Sequence, residues 1–184
     1  MHKKILIILA LIVIAANMDG QGKYMTRSGY IWFYSHTPVE DIKAHNRQAA
    51  CILNTETGEI AVTLLMKSFE FKKALMQEHF NENYVESDKF PKASFQGKVQ
   101  DASSVDFSSP GEYEVPVSGS LTIHGVTNEI ETEVTLNIKA DGPIKASTMF
   151  LVKPADYDIE IPKVVRENIA KEIEVHVDVA LKKM

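Results

Sequence analysis

Apolar and polar positions alternate along most of this chain. Leu121 and Ile123 alternate with Thr122 and His124. After Gly125 a turn is predicted at Thr127-Asn128. Beyond it Ile130, Val134, Leu136 and Ile138 alternate with Glu129, Glu131, Glu133 and Thr135. A period of two on both arms predicts a long antiparallel hairpin with one oily face. The same period marks residues 59–66, where Ile60, Val62, Leu64 and Met66 share a face, and residues 93–99, where Ala93, Phe95, Gly97 and Val99 do. It returns in residues 144–153 and in residues 172–181, where Ile173, Val175, Val177, Val179 and Leu181 oppose Glu172, Glu174, His176 and Asp178. Residues 48–53 read as the strand preceding 59–66, joined to it through residues 54–58.

Two stretches break this rhythm. Residues 29–36 are bulky on both faces, with Ile31 and Phe33 on one and Tyr30, Trp32 and Tyr34 on the other. Such a strand is either covered outside or lines a cavity inside. In residues 72–83 the period becomes helical: Met76 and Phe80 form an i,i+4 pair, and one inserted helix is predicted there. Residues 38–42 read as a short link with one helical turn after Thr37. Residues 101–112 and 141–143 read as loop and turn, and residues 154–169 as an irregular connection holding a brief helix at 162–166.

These elements add up to an all-β fold, an eight-stranded antiparallel barrel with one inserted α-helix. Closure removes exposed sheet edges. The interior of an eight-stranded barrel has room for packed side chains or for one slender ligand.

The N-terminus stands apart. His2-Lys3-Lys4 precedes an uncharged apolar run, residues 5–16. This predicts a signal peptide over 1–20, with 21–184 as one barrel domain; an uncleaved anchor is the alternative. The expected location is periplasmic or secreted, with no stable membrane span after cleavage. No Cys follows the run, so no lipid anchor is expected.

Composition narrows the class without naming a chemistry. The 184 residues are 45% hydrophobic and 24% charged, with net charge −5. That is ordinary for a globular domain, and the mild acidic balance without basic runs argues against nucleic acid or an anionic membrane surface as the main partner. The single cysteine, Cys51, lies between Ala49-Ala50 and Ile52-Leu53 and reads as a buried strand thiol. The six histidines are scattered singly without metal-ligand spacing. No phosphate loop, nucleophile elbow or zinc-protease motif occurs. No metal, no cofactor and no catalytic residue is therefore expected, and the protein is not read as an enzyme.

The residues Leu121-Thr122-Ile123-His124-Gly125-Val126-Thr127, followed by an alternating strand, resemble the signature hairpin of the YceI-like family. Phe90-Pro91-Lys92-Ala93-Ser94-Phe95, after the helical run through His79-Phe80, is similar to a second family block. The resemblance covers most of the chain after the N-terminal segment. It implies a lipocalin-like barrel holding a polyisoprenoid, quinone or fatty-acyl lipid, for carriage or sequestration. The implied ligand-lining residues are Ile31, Phe33, Ile60, Val62, Leu64, Phe95, Leu121, Ile123, Val134, Leu136, Phe150, Val175 and Val177. Leu75, Met76 and Phe80 would cover one opening, and His36, Thr122, His124 and Ser147 are candidate polar rim groups. Residues 155–166 match no family motif and are free to reshape the mouth. The alternative reading is a stress-related envelope protein with a barrel filled by its own side chains, acting through protein contacts. A homodimer is left open.

Overall fold

The structure is a computed structural model that describes residues 22–184. The predicted signal peptide, residues 1–20, and its boundary with the domain that follows lie outside the described residues. The elements are β1 (Lys23–His36), β2 (Asp41–Asn54), β3 (Glu59–Leu65), β4 (Glu70–Phe71), α1 (Ala74–His79), β5 (Lys92–Val99), β6 (Gly111–Ile123), β7 (Val126–Ile138), β8 (Ile144–Val152) and β9 (Ile173–Lys183). Every pairing is antiparallel. The order runs β1-β9-β8-β7-β6-β5-β3-β2, and β2 pairs back onto β1, so eight strands close into a barrel. The two-residue β4 adds a short ladder on β2 at Ala44 and His45.

Antiparallel order puts the connections alternately at the two ends. One end carries the β1–β2 turn, the β3–β5 connection with α1, the β6–β7 turn and residues 153–172 between β8 and β9. The other carries the β2–β3, β5–β6 and β7–β8 loops and both ends of the described chain. That second end is plugged. Val105 from the β5–β6 loop is buried among Val99, Val115, Ile138, Ile144 and Leu181, with Phe107 and Tyr113 packed against them. Residues 101–112 look polar in sequence, yet Val105 and Phe107 make them a stopper.

Several boundaries differ from the sequence expectation. Residues 38–42 form no helical turn. Thr37 accepts hydrogen bonds at Oγ1 from the Val39 and Glu40 amides and closes a tight turn, and β2 starts at Asp41. The hairpin turn falls at His124-Gly125, not at Thr127-Asn128. Both turn residues have left-handed backbone (φ 52 and φ 77), and Ile123 pairs directly with Val126. A two-residue turn of this hand matches the twist of the strands and carries the ladder without a slip. The helix is shorter than predicted: α1 stops at His79, and a π-helical turn (Phe80–Tyr84) continues it.

The doubly bulky β1 resolves cleanly. Ile31, Phe33 and Ser35 point inward. Outside, Trp32 stacks on His176, with centroids 3.6 Å apart, and Lys43 Nζ lies 3.7 Å over the same ring. His176 lies on the polar face of its strand, and this stacking and a 3.0 Å contact with Glu174 hold it against the barrel wall.

One ladder is incomplete. β7 and β8 pair only at Thr135–Ser147, Leu136–Ala146 and Asn137–Lys145. Above these rungs the two strands part. The Thr132 and Thr148 hydroxyls meet at 2.8 Å, and Thr148 Oγ1 donates to the Glu133 carbonyl at 2.7 Å. The 3-10 turn Pro154–Tyr157 packs beside this stretch of β7, tied down where Asn128 Nδ2 donates to the Asp156 carbonyl at 2.7 Å.

Candidate functional site

Inside the ring, above the plugged end, lies a cavity of about 380 Å³. That volume falls in the range of small-ligand sites. Its wall is built by the inward halves of the alternating strands. β1 contributes Ile31 and Phe33; β3 contributes Ile60, Val62 and Leu64; β5 contributes Phe95. β6 adds Leu121 and Ile123, β7 adds Val134 and Leu136, β8 adds Phe150, and β9 adds Val175 and Val177. Every strand residue expected to face a ligand therefore lies on the cavity wall. Met66 and Phe69 line it too.

The helix supplies the roof. Met76 and Phe80 line the cavity as expected, but Leu75 does not: it is 60% exposed. Positions 76 and 80 share a face one turn apart, and position 75 is rotated about 100° away. Phe80 is locked into an aromatic cluster with Phe33, Phe69 and Phe71, at centroid distances of 5.5, 5.7 and 5.0 Å. Phe69 and Phe71 belong to no alternating run, and periodicity could not find them. The remaining roof comes from residues 153–172, whose Ile159, Ile161, Val165 and Ile169 point into the cavity.

Polar groups gather at this roofed end. Glu40, His79, Tyr84 and Asn168 are all part of the lining. Glu40 joins three of the elements around the mouth: Lys73 Nζ sits 2.9 Å from one carboxylate oxygen, and Asn168 Nδ2 donates to the other at 3.2 Å. The Lys73 contact first, and the Asn168 bond second, hold the Glu40 carboxyl below its usual range. Burial raises the Tyr84 hydroxyl pKa. Deeper in, Ser35 is buried and its Oγ accepts from the Ala170 amide at 2.9 Å. No Lys or Arg lies on the cavity wall.

The expected rim groups separate. Ser147 lines the cavity. Thr122 does not; its hydroxyl pairs with Thr127 across the hairpin at 2.8 Å. His36 is also outside, bonded through Nδ1 to Asp41 at 2.6 Å. His124 faces no cavity either. Held by its left-handed turn, its Nδ1 meets the Tyr157 carbonyl at 3.0 Å and its Nε2 meets the Glu86 carboxylate at 2.8 Å. It is a clasp between the hairpin, the post-helix loop and the roof segment.

Cys51 is buried in the lower core and also borders the cavity. Burial pushes its thiol up to about 12, so it stays protonated at neutral pH and is a poor nucleophile. Among the described residues no group of three or more His, Cys, Asp or Glu could hold a metal ion, and no helix is long and apolar enough to cross a membrane.

A closed antiparallel barrel with one plugged end and an apolar, roofed cavity is of the lipocalin-like class. Residues 27–181 match the family model described as YceI-like domain, and the chain belongs to that family. Among solved structures it is similar to a polyisoprenoid binding domain from Saccharophagus degradans implicated in plant cell wall breakdown. The two share 17% identity at a TM-score of 0.76, over 89% of this chain and 99% of that one. Burkholderia cenocepacia BcnA is similar at 14% identity and TM-score 0.67, over 83% of this chain and 94% of its own. The Campylobacter jejuni YCEI protein is similar at 16% and 0.62, over 81% and 90%. No curated protein matches the sequence.

Proposed function

We propose that this protein holds the hydrocarbon chain of one lipid in its barrel, and that the lipid carries a neutral head group. The observation that carries this reading is the lining itself: a largely apolar cavity whose carboxylate, imidazole and phenol, Glu40, His79 and Tyr84, sit near its mouth, and whose wall holds no Lys or Arg. Each methylene moved from water into such a space contributes roughly 0.8 kcal/mol. A buried fatty-acid carboxylate would need a cation or several donors. Here it would meet the Glu40 carboxylate. An isoprenoid alcohol or a quinone needs only ordinary hydrogen bonds, which His79, Tyr84 and Glu40 can exchange with it. The polyisoprenoid named for the Saccharophagus domain supports the same class of chain.

Binding, not catalysis, is the role we assign. The N-terminal basic start and apolar run support export, so carriage or sequestration would take place in the periplasm or outside the cell.

Native mass spectrometry of the protein from its host, followed by organic extraction, tests this. A stoichiometric neutral lipid, whose removal lowers the melting temperature, is the expected result. Added isoprenoid alcohol should restore the melting temperature and palmitate should not. A mass equal to the bare chain with no thermal shift from either lipid would overturn the reading and favour a surface that binds protein. A shift with palmitate alone would overturn the neutral head group.

A further inference from the structure

A chain held in this cavity is nearly insoluble in water, so the way it reaches the mouth matters. This inference rests on the lipid reading above and asks where the lipid is exchanged. Among the described residues, three exposed apolar side chains stand on three different elements around the mouth. Val39 is on the β1–β2 turn (61% exposed), Leu75 on α1 (60%) and Val164 on the roof segment (91%). None of them has a packing role that accounts for it. Leu75 turns away from the cavity its neighbour Met76 lines, and Val164 turns away from the cavity its neighbour Val165 lines. Just below the rim, Leu151 on the outer face of β8 is also exposed. The plugged end differs: Ile52 and Met184 are its only exposed large apolar residues among those described.

The charge around these tips is mixed. Val164 lies between Lys163 and Arg166, and Leu75 follows Lys72. These three cations make no ion pair among the described residues, whereas Lys73, Lys67, Lys89 and Lys153 do. Apolar tips flanked by free cations are the pattern of a protein seated at the headgroup boundary. Glu78, Asp156, Asp158, Glu160 and Glu167 share the same segments without an ion pair among the described residues and outnumber those cations, so the attraction is apolar and its salt dependence is shallow.

We propose that the mouth rim is a docking surface for a lipid bilayer, with Val39, Leu75 and Val164 entering the headgroup boundary so that the ligand passes between membrane and barrel without crossing water. A second protein seated on the rim is the competing occupant, and the test separates them.

A polarity-sensitive fluorophore is attached to Val164→Cys and, separately, to Met184→Cys; native Cys51 is buried and stays unlabelled. Both proteins are mixed with vesicles of phosphatidylcholine containing a minority of phosphatidylglycerol. The label at 164 should shift to the blue and be quenched from the lipid phase, and the label at 184 should not. A Val39→Asp/Leu75→Asp/Val164→Asp variant should extract a fluorescent isoprenoid from the vesicles about tenfold more slowly. The same variant should load from detergent micelles as well as the wild type. No shift at 164, or equal extraction by the triple variant, would overturn bilayer docking; a rim that ignores vesicles belongs to a protein partner. Failure of both proteins to load from micelles would instead overturn the cavity reading, and the label at 164 would still report on docking.

Discussion

His124 and Glu86 are separated by 38 residues in sequence and joined by a 2.8 Å contact between imidazole Nε2 and carboxylate. The histidine side chain is only 10% exposed, and its other nitrogen meets the Tyr157 carbonyl. Two independent demands meet at this position: the turn needs left-handed backbone, and the clasp needs an imidazole. They can be separated by substitution. His124→Asn keeps a residue tolerant of that backbone and should cost about 1–2 kcal/mol through the lost clasp. His124→Ala should cost about 1 kcal/mol more through backbone strain. Chemical denaturation of the two variants checks the order, and an Asn variant as unstable as the Ala variant would contradict it.

Gly119 is the tightest point of the wall. A Cβ there would lie 2.3 Å from the Gln96 carbonyl oxygen and 2.4 Å from the Gly97 Cα, and Gly97 is its own cross-strand partner. Two facing glycines let β5 and β6 approach and coil, as a small barrel requires. Gly119→Ala forces backbone to move and should destabilise by about 2–3 kcal/mol or more. Gly142→Ala, which would meet nothing closer than 3.5 Å, is the control and should leave the melting temperature nearly unchanged.

Filling the cavity should separate binding from folding. Val62 and Val177 border both the lower core and the aromatic cluster, so they sit at the cavity's waist. Val62→Trp or Val177→Trp occupies ligand space without removing a hydrogen bond. Co-purified lipid should fall by about tenfold while stability changes by no more than about 1–3 kcal/mol and the barrel stays folded. Mass spectrometry beside a melting curve reads both.

Acid should loosen the roof. The folded Glu40 carboxyl is held below its usual value of 4.5 by Lys73 and Asn168. A lowered folded pKa means stability that is fully present above the usual value and is lost as pH falls through the lowered one. Ligand release should therefore accelerate as the pH falls below the usual carboxylate range and through the lowered Glu40 value. Glu40→Gln should release faster at neutral pH and lose most of that acid response. Stopped-flow release of a fluorescent isoprenoid measures both.

Cys51 should be silent to thiol reagents in the native protein and react only as the barrel opens, because its thiol is buried and protonated. Cys51→Ser places a hydroxyl among Val99, Val117 and Leu136 and should cost about 1–3 kcal/mol.

What could be read from the chain follows from what local pattern encodes. Strand faces are local, so Ile60-Val62-Leu64 and Val175-Val177 fell on the cavity side as their alternation required. The closed, eight-stranded ring followed from the number of such faces. Contacts between distant segments were not legible. Phe69 and Phe71 belong to no periodic run, Val105 and Phe107 sit in a stretch dominated by Ser and Asp, and Glu40 meets Asn168 across 128 residues. Position 124 shows both sides. His-Gly is turn chemistry that a sequence can display, but the alternation around it carried the expected bend three residues too far.

The short β7–β8 ladder has a mechanical consequence. A closed barrel resists widening as a hoop does, and a hoop is as stiff as its weakest joint. Here that joint is three rungs and a pair of threonine hydroxyls, while the facing β6–β7 seam runs the full length of both strands. The girth of the barrel is thus set on one side by a stiff seam and on the other by a compliant one. Strain from a branched or bulky occupant would fall first on the Thr132–Thr148 contact, while the Pro154–Tyr157 turn beside it stays anchored by Asn128 and His124.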